Sequence, residues 1–398
     1  MKANYIKKSS LLSLVFIAGI AHSEASICPG ISIAGAPHPN GGGFVASTAF
    51  VAPTAKVNAN ASVCDSAEVL GNAIISGNAR ISGEAVVEGN ALVNGNALVY
   101  ENAHVKDTAT VENSAQVYGS AIIQLNSKIK DNAQVYGAAL ISGTDTIVSD
   151  YAQISGNAQI YDNSKVSNSA KVLGNSILYN NSSVSEDAVV NGNVTMSDLS
   201  KVRGSAQILG KATLSHNAEI FSTAILKGTD TIVADNAKVL GNALLLDNSK
   251  VYGSAIVFEN ATIKNSAQVY GNALVSGSTI VSMNAKIYDN AVVSAKLISG
   301  DSKIYGKAEI KESAIVRNSA QVFGESVVSG DSRVVGTAKV YGQAYVYENA
   351  LIESNALVFG NAQVYGDAVV TTGGVAHGTV SLHGSYVLNS NLDNGNFE

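Results

Sequence analysis

From Ser47 onward the chain repeats a beat of six residues: STAFVA, PTAKVN, ANASVC, DSAEVL, GNAIIS, GNARIS. Position three is Ala or Ser and position five is Val, Ile or Leu, while positions four and six vary. Alternation with period two predicts a short strand whose small and branched side chains point one way. Positions one and two are Gly, Asp, Glu or Asn followed by Asn or Ser, residues that tolerate the left-handed and turn conformations of a corner. A helix is disfavoured, because a six-residue period scatters its apolar positions around a 3.6-residue turn.

The repeat fixes the architecture before any local structure is assigned. Units run unbroken over 47–148, an extra Ser149 follows, and units resume over 150–233 until an extra Ala234. Residues 235–294 continue the beat, 295–299 form a five-residue unit, and 300–371 complete a total of 54 units. Aromatic residues at position six recur every 18: Tyr100, Tyr118 and Tyr136, then Tyr252, Tyr270 and Tyr288, then Tyr305, Phe323, Tyr341 and Phe359. Eighteen residues are three units, so one coil has three sides and the array holds about 18 coils. Tyr288 and Tyr305 are 17 apart across the five-residue unit, which therefore counts as a full side with a trimmed corner. Tyr161 and Tyr179 fall out of phase with Tyr136, so the ring stripe changes face near Ser149. The predicted fold is an all-β parallel β-helix over 47–371, flanked by a cap segment at 24–46 and an irregular cap or tail at 372–398. Stability in such a solenoid accrues coil by coil, and its ends need caps.

Composition narrows the classes. Only 14% of residues are charged against 46% hydrophobic, and the four prolines all lie at or before Pro53. The remaining chain can therefore donate every backbone hydrogen bond a long ladder needs. A net charge of -6 excludes nucleic-acid binding driven by overall charge. Lys2, Lys7 and Lys8 precede an apolar stretch from Leu11 to Ile20 and then Ala21-His22-Ser23, which predicts a secretory signal peptide over 1–23. That stretch is too short to span a bilayer, and no transmembrane segment is expected elsewhere. After export, Cys28 and Cys64 could pair and pin the N-terminal segment to the array; two buried thiols is the other reading.

An aliphatic residue followed four positions later by Ala or Ser, as in Val69 then Ala73, Ile75 then Ala79 and Ile81 then Ala85, is similar to the hexapeptide-repeat proteins. The resemblance implies a left-handed β-helix with three strands per coil, and many members are trimeric acyltransferases. In its uninterrupted regularity the chain also resembles the polymer-forming bactofilins. It departs from the hexapeptide pattern in placing Gly two positions after the aliphatic residue rather than one.

Chemistry is sparse. An acyltransferase of this type uses a histidine base in an intersubunit cleft, but His104 sits at an outward position four, His216 at a corner, and His377 and His383 in the tail. No motif assigns catalysis to any of them, and a solvated histidine is the expected state. GTDTIVSD at 143–150 and GTDTIVAD at 228–235 are near copies, but Asp145 with Asp150, or Asp230 with Asp235, falls short of the six to eight oxygens a calcium ion takes. These segments are expected to be duplicated corner bulges, and neither metal nor cofactor is expected.

The outer faces carry more. Lys250, Lys286, Lys303 and Lys339, with Gln268 and Gln321 between them, accompany the ladder Tyr252, Tyr270, Tyr288, Tyr305, Phe323 and Tyr341. Such a ladder could stack on glycan rings, although ring-on-ring packing between coils is the simpler expectation. The next side carries Ile256, Leu274, Val292 and Val327, interrupted by Glu309. The third carries Leu244, Ile280, Leu297, Ile315 and Leu351, broken by Thr262 and Arg333. Apolar stripes of that length predict side-by-side self-association. The expected function is an exported, non-catalytic structural, adhesive or assembly element. A hexapeptide-type acyltransferase and a glycan-binding module are the alternatives.

Overall fold

A computed structural model describes Cys28 and residues 34–398; the expected leader at 1–23 lies outside the described residues, as do 24–27 and 29–33. Among the described residues fifty-six short strands, all but the first paired in parallel, form one β-solenoid of about 20 turns with no helix. Each coil pairs with the next at a separation of 18: Lys250 aligns with Gln268 and Gln268 with Lys286, and Lys286 then aligns with Lys303 across the trimmed corner. With coils about 4.8 Å apart, the rod is about 90 Å long.

The repeat positions explain the fold residue by residue. Position-three alanines and position-five aliphatics, such as Ala267 with Val269 and Ala273 with Val275, have no solvent exposure and fill the bore. Position four donates its N–H to the position-three carbonyl of the next coil, as Lys250 does to Ala267 at 3.0 Å, and position six to the position-five carbonyl, as Ser276 does to Val293 at 2.9 Å. Corners turn through position one in the left-handed region, where acids recur among the more frequent glycines: Glu101 has φ 58°, Asp235 60° and Glu348 57°. Their carboxylates accept the position-one N–H of the next coil, Gly119 to Glu101 at 2.8 Å and Gly253 to Asp235 at 2.9 Å. That charge-assisted bond offsets the cost of a left-handed residue bearing a Cβ. Position-two asparagines run in amide ladders, Asn157 to Asn175 to Asn193 at 2.9 Å each.

Three details differ from the sequence expectation. The extra residues are not Ser149 and Ala234. The register slips between Asn126 and Lys128 against Leu140–Val148, and between Gly210 and Ala212 against Ile225–Val233, so each extra residue sits in the Gly-Thr-Asp corner, at 143–145 and 228–230. Thr146 and Val148 then point inward with no exposure, as do Thr231 and Val233. The surplus residue is looped out as a bulge where bending is cheapest, which agrees with the expected corner bulges.

The coil count also exceeds 18, because 372–398 is no irregular tail. Val369–Val370 pairs with Val387–Leu388, Val375–Ala376 with Asn391–Leu392, and Ser381–Leu382 with Asn396–Phe397. Tyr386 takes a position elsewhere held by Ala and packs on Phe397, with ring centroids 5.6 Å apart, so two rings close this end of the bore. At the other end Gly35–Pro37 pairs antiparallel with Phe44–Ala46, and Gly42 bridges Asn58 antiparallel. Cys28 is disulfide-bonded to Cys64, with Cα atoms 5.8 Å apart.

The third difference concerns the rings. Following the pairing upstream, Tyr252 lies over Ala234, Ser215 and Ser197, and then over Tyr179 and Tyr161. Tyr161 and Tyr179 thus share the side of the long ladder. Tyr100, Tyr118 and Tyr136 form a separate stack on the third side, in the column that later holds Leu246 and Lys264. No single stripe changes face; the Tyr100 stack and the long ladder lie on different sides, and the corner bulges shift neither.

Candidate functional site

The most ordered surface is the ring side of the C-terminal half. Position six points outward beside position four, so the two columns run parallel along the rod. Tyr252, Tyr270, Tyr288, Tyr305, Phe323, Tyr341 and Phe359 stack at centroid spacings of 4.7–4.9 Å with planes within 7°. His377 extends the stack at 5.0 Å, giving eight rings over about 34 Å. The coil rise sets this spacing, and the identical rotamer repeated in each coil sets the parallel planes.

Such packing hides the free ring faces on which a neutral sugar would stack. Each interior ring has a neighbour on both faces, so the ladder turns its edges to solvent, and the half-buried rings cannot offer a free face for stacking. Burial is the main cause that raises the hydroxyl pKa values of Tyr252, Tyr270, Tyr305 and Tyr341. For Tyr288, burial together with Tyr270, Tyr305 and Asp289 pushes the value up to about 12. These hydroxyls stay protonated donors well above neutral pH. Tyr252 donates to Gln268 Oε1 at 3.3 Å.

Beside the rings, Lys250, Lys286, Lys303 and Lys339 occupy the outward column with Gln268 and Gln321. None of the four lysines makes an ion pair among the described residues. No acid lies in either column of this side from Lys250 to Phe359. The acids on its two borders are engaged elsewhere. Asp289 accepts the Gly306 N–H at 3.1 Å, and Glu325 takes Lys307 at 2.8 Å. Asp247 accepts from Asn265 at 3.0 Å, and Asp301 from Asn284 at 2.9 Å.

The other expected residues are placed as follows. Ile256, Leu274 and Val292 align on the second side, Glu309 follows, and Val327 and the exposed Tyr345 continue the column. Leu244, Thr262, Ile280, Leu297, Ile315, Arg333 and Leu351 align on the third. His104 Nε2 lies 2.9 Å from Glu88 on the flat surface of the ring side, and His216 lies 3.6 Å from Asp235. Asp230 pairs with Lys211 at 3.0 Å, and Asp150 accepts the Asn168 N–H at 2.9 Å, so neither bulge gathers its carboxylates. Among the described residues no group of three or more His, Cys, Asp or Glu is placed to hold a metal ion. Depressions near Lys296 and Arg333, and near Glu325 and Tyr345, are shallow and open. No helix among the described residues is long and apolar enough to cross a membrane.

Sequence reading missed two features of this surface. His377 and His383 extend ring stacks, the latter lying 5.3 Å from Tyr365 on the second side, where Tyr365 also stacks on Tyr347 at 4.7 Å. Both histidines stand at position six, so the period alone could have found them. Ring edges rather than faces being exposed follows only from the packing.

A comparison with curated proteins finds no match. A family model described as the YdcK β-solenoid repeat matches residues 267–282 and 362–378, each close to one coil, and the second match runs into the expected tail. The chain is a parallel β-solenoid repeat protein, consistent with the hexapeptide-repeat-like solenoids.

Proposed function

We propose that the protein is an exported, non-catalytic rod serving as a structural, adhesive or assembly element of the cell envelope or surface. The observation that carries this reading is the unbroken ladder from Phe44 to Phe397: every coil spends its residues on the bore, the corners and three flat sides. Catalytic sites need concavity and converging polar groups, and His104, His216, His377 and His383 stand on outward or corner positions of the coils. The Cys28–Cys64 disulfide supports export, since such bonds persist in oxidising compartments. Aliphatic columns on the second and third sides support lateral self-association.

Analytical ultracentrifugation of the secreted chain across a concentration series tests this. An elongated monomer, or an open series of lateral assemblies, is expected. A discrete trimer with acyl-CoA-dependent activity lost on replacing His104 would refute it.

A further inference from the structure

We infer that the ring side of the C-terminal half binds a linear acidic polysaccharide lying along the rod axis. The inference rests on the rod reading and names what one of its faces holds. An aromatic ring carries negative charge on its faces and positive charge at its edge. Stacking at 4.7–5.0 Å covers the faces from Tyr252 to His377, so the ladder presents edges and protonated hydroxyls.

Running beside it, Lys250, Lys286, Lys303 and Lys339 add four unpaired cations over about 24 Å. The Tyr252 hydroxyl occupies the oxygen of Gln268 and leaves its amide N–H donors unused within the chain. From Lys250 to Tyr341 the lysines, amides and ring edges of this strip therefore attract negative charge, on a protein whose net charge is -6; only beyond Lys339 does the outward column turn aliphatic, at Leu357 and Val375. The strip is straight, narrow and periodic, which suits an extended polymer rather than a compact ligand. Its period is near the length of one extended sugar residue, so a chain lying along the rod would bring carboxylates to the lysines at intervals of one or two coils. Single-stranded nucleic acid, the other linear polyanion, binds by stacking its bases on free aromatic faces, and those are the surfaces this ladder covers. A neutral glycan lacks both the charge for the lysines and the free ring faces it would need.

The test is calorimetric titration of the full secreted protein with an oligogalacturonate long enough to span the ladder, its neutral methyl ester, and an oligothymidylate of similar length. Wild type is compared with a ring-side variant, Lys250→Gln, Lys286→Gln, Lys303→Gln and Lys339→Gln. A control variant of equal charge change, Lys56→Gln, Lys128→Gln, Lys165→Gln and Lys201→Gln, alters only the second side. The oligogalacturonate should bind wild type and the control within about threefold of each other. It should bind the ring-side variant about tenfold or more weakly, as expected when several exposed charge pairs are removed. The methyl ester should lose at least as much, and affinity should fall with salt.

Equal loss in both variants, equal binding of the methyl ester, or tighter binding of the oligothymidylate would overturn the inference. The maximum dimension of each protein is read by small-angle scattering. A compact wild type would refute the rod reading itself, whereas an elongated protein with no selective affinity would refute only the assignment of this face.

Discussion

Four serines test the interior most sharply. Position three is normally Ala, but Ser200, Ser249, Ser302 and Ser332 occupy it with no exposure and no hydrogen-bond partner for their hydroxyls. Ser326 stands in the same kind of site, yet its hydroxyl donates to the Phe323 carbonyl at 2.9 Å. A buried hydroxyl without a partner costs about 1–3 kcal/mol, while a satisfied one contributes about 1 kcal/mol. Since Ala already fills this position in most coils, the void left by one oxygen is small. Each of Ser249→Ala and Ser302→Ala should therefore stabilise the protein by about 1 kcal/mol, and Ser326→Ala should destabilise it by a similar amount. The four unpartnered sites lie in separate coils, so their combined replacement should add nearly linearly, to about 4 kcal/mol. Guanidinium unfolding followed by circular dichroism reads the midpoint, and an unchanged slope shows that the unfolded state is not responsible. If Ser249→Ala and Ser326→Ala shift the midpoint in the same direction, the assignment of partners within the bore is wrong.

Other predictions address the corners, the rings and the end. Gly192 has φ 126°, and a Cβ there would lie 2.2 Å from the Gly210 carbonyl oxygen, so Gly192→Ala should cost about 2 kcal/mol or more, measurable as a lowered melting temperature. Tyr288 and Tyr100 hold their protons up to about 12, mainly through burial. An unfolded tyrosine titrates near pH 10, so stability that is complete below about pH 10 should fall as pH rises toward 12. Tyrosinate absorbance and circular dichroism should change together in that window, and ladder tyrosines that ionise near pH 10 with the coil intact would contradict the packing. The disulfide closes a separation of 36 residues, so reduction should destabilise the first coils by about 3–4 kcal/mol on the chain-entropy account. Hydrogen exchange should then rise around residues 44–64 and stay unchanged beyond Tyr252.

The sequence made the repeat legible because a solenoid imposes the same demand in every coil. Ala at position three and Val or Ile at position five recur because the bore admits little else, and the 18-residue spacing of the rings displayed the three sides. It misled where one residue changes parity. In GTDTIV both Ile147 and Val148 are apolar, and deciding which points inward requires knowing which residue is looped out, since a slip of one reverses every side chain. The last coils were hidden because Gly374, Ser390 and Gly395 replace the usual Ala, although Ala376, Leu382 and Leu388 keep the inward beat. Of the candidate site, the rows of rings and lysines were readable from spacing. That stacking exposes ring edges, and that the bordering acids are occupied by amides and Lys307, depends on distances the sequence does not carry.

The rod itself is tested most directly by small-angle X-ray scattering of the chain from Glu24 at low concentration. The account predicts a maximum dimension of about 90 Å with a thin, uniform cross-section. A radius of gyration near 21 Å, the value for a compact globule of this length, would contradict it.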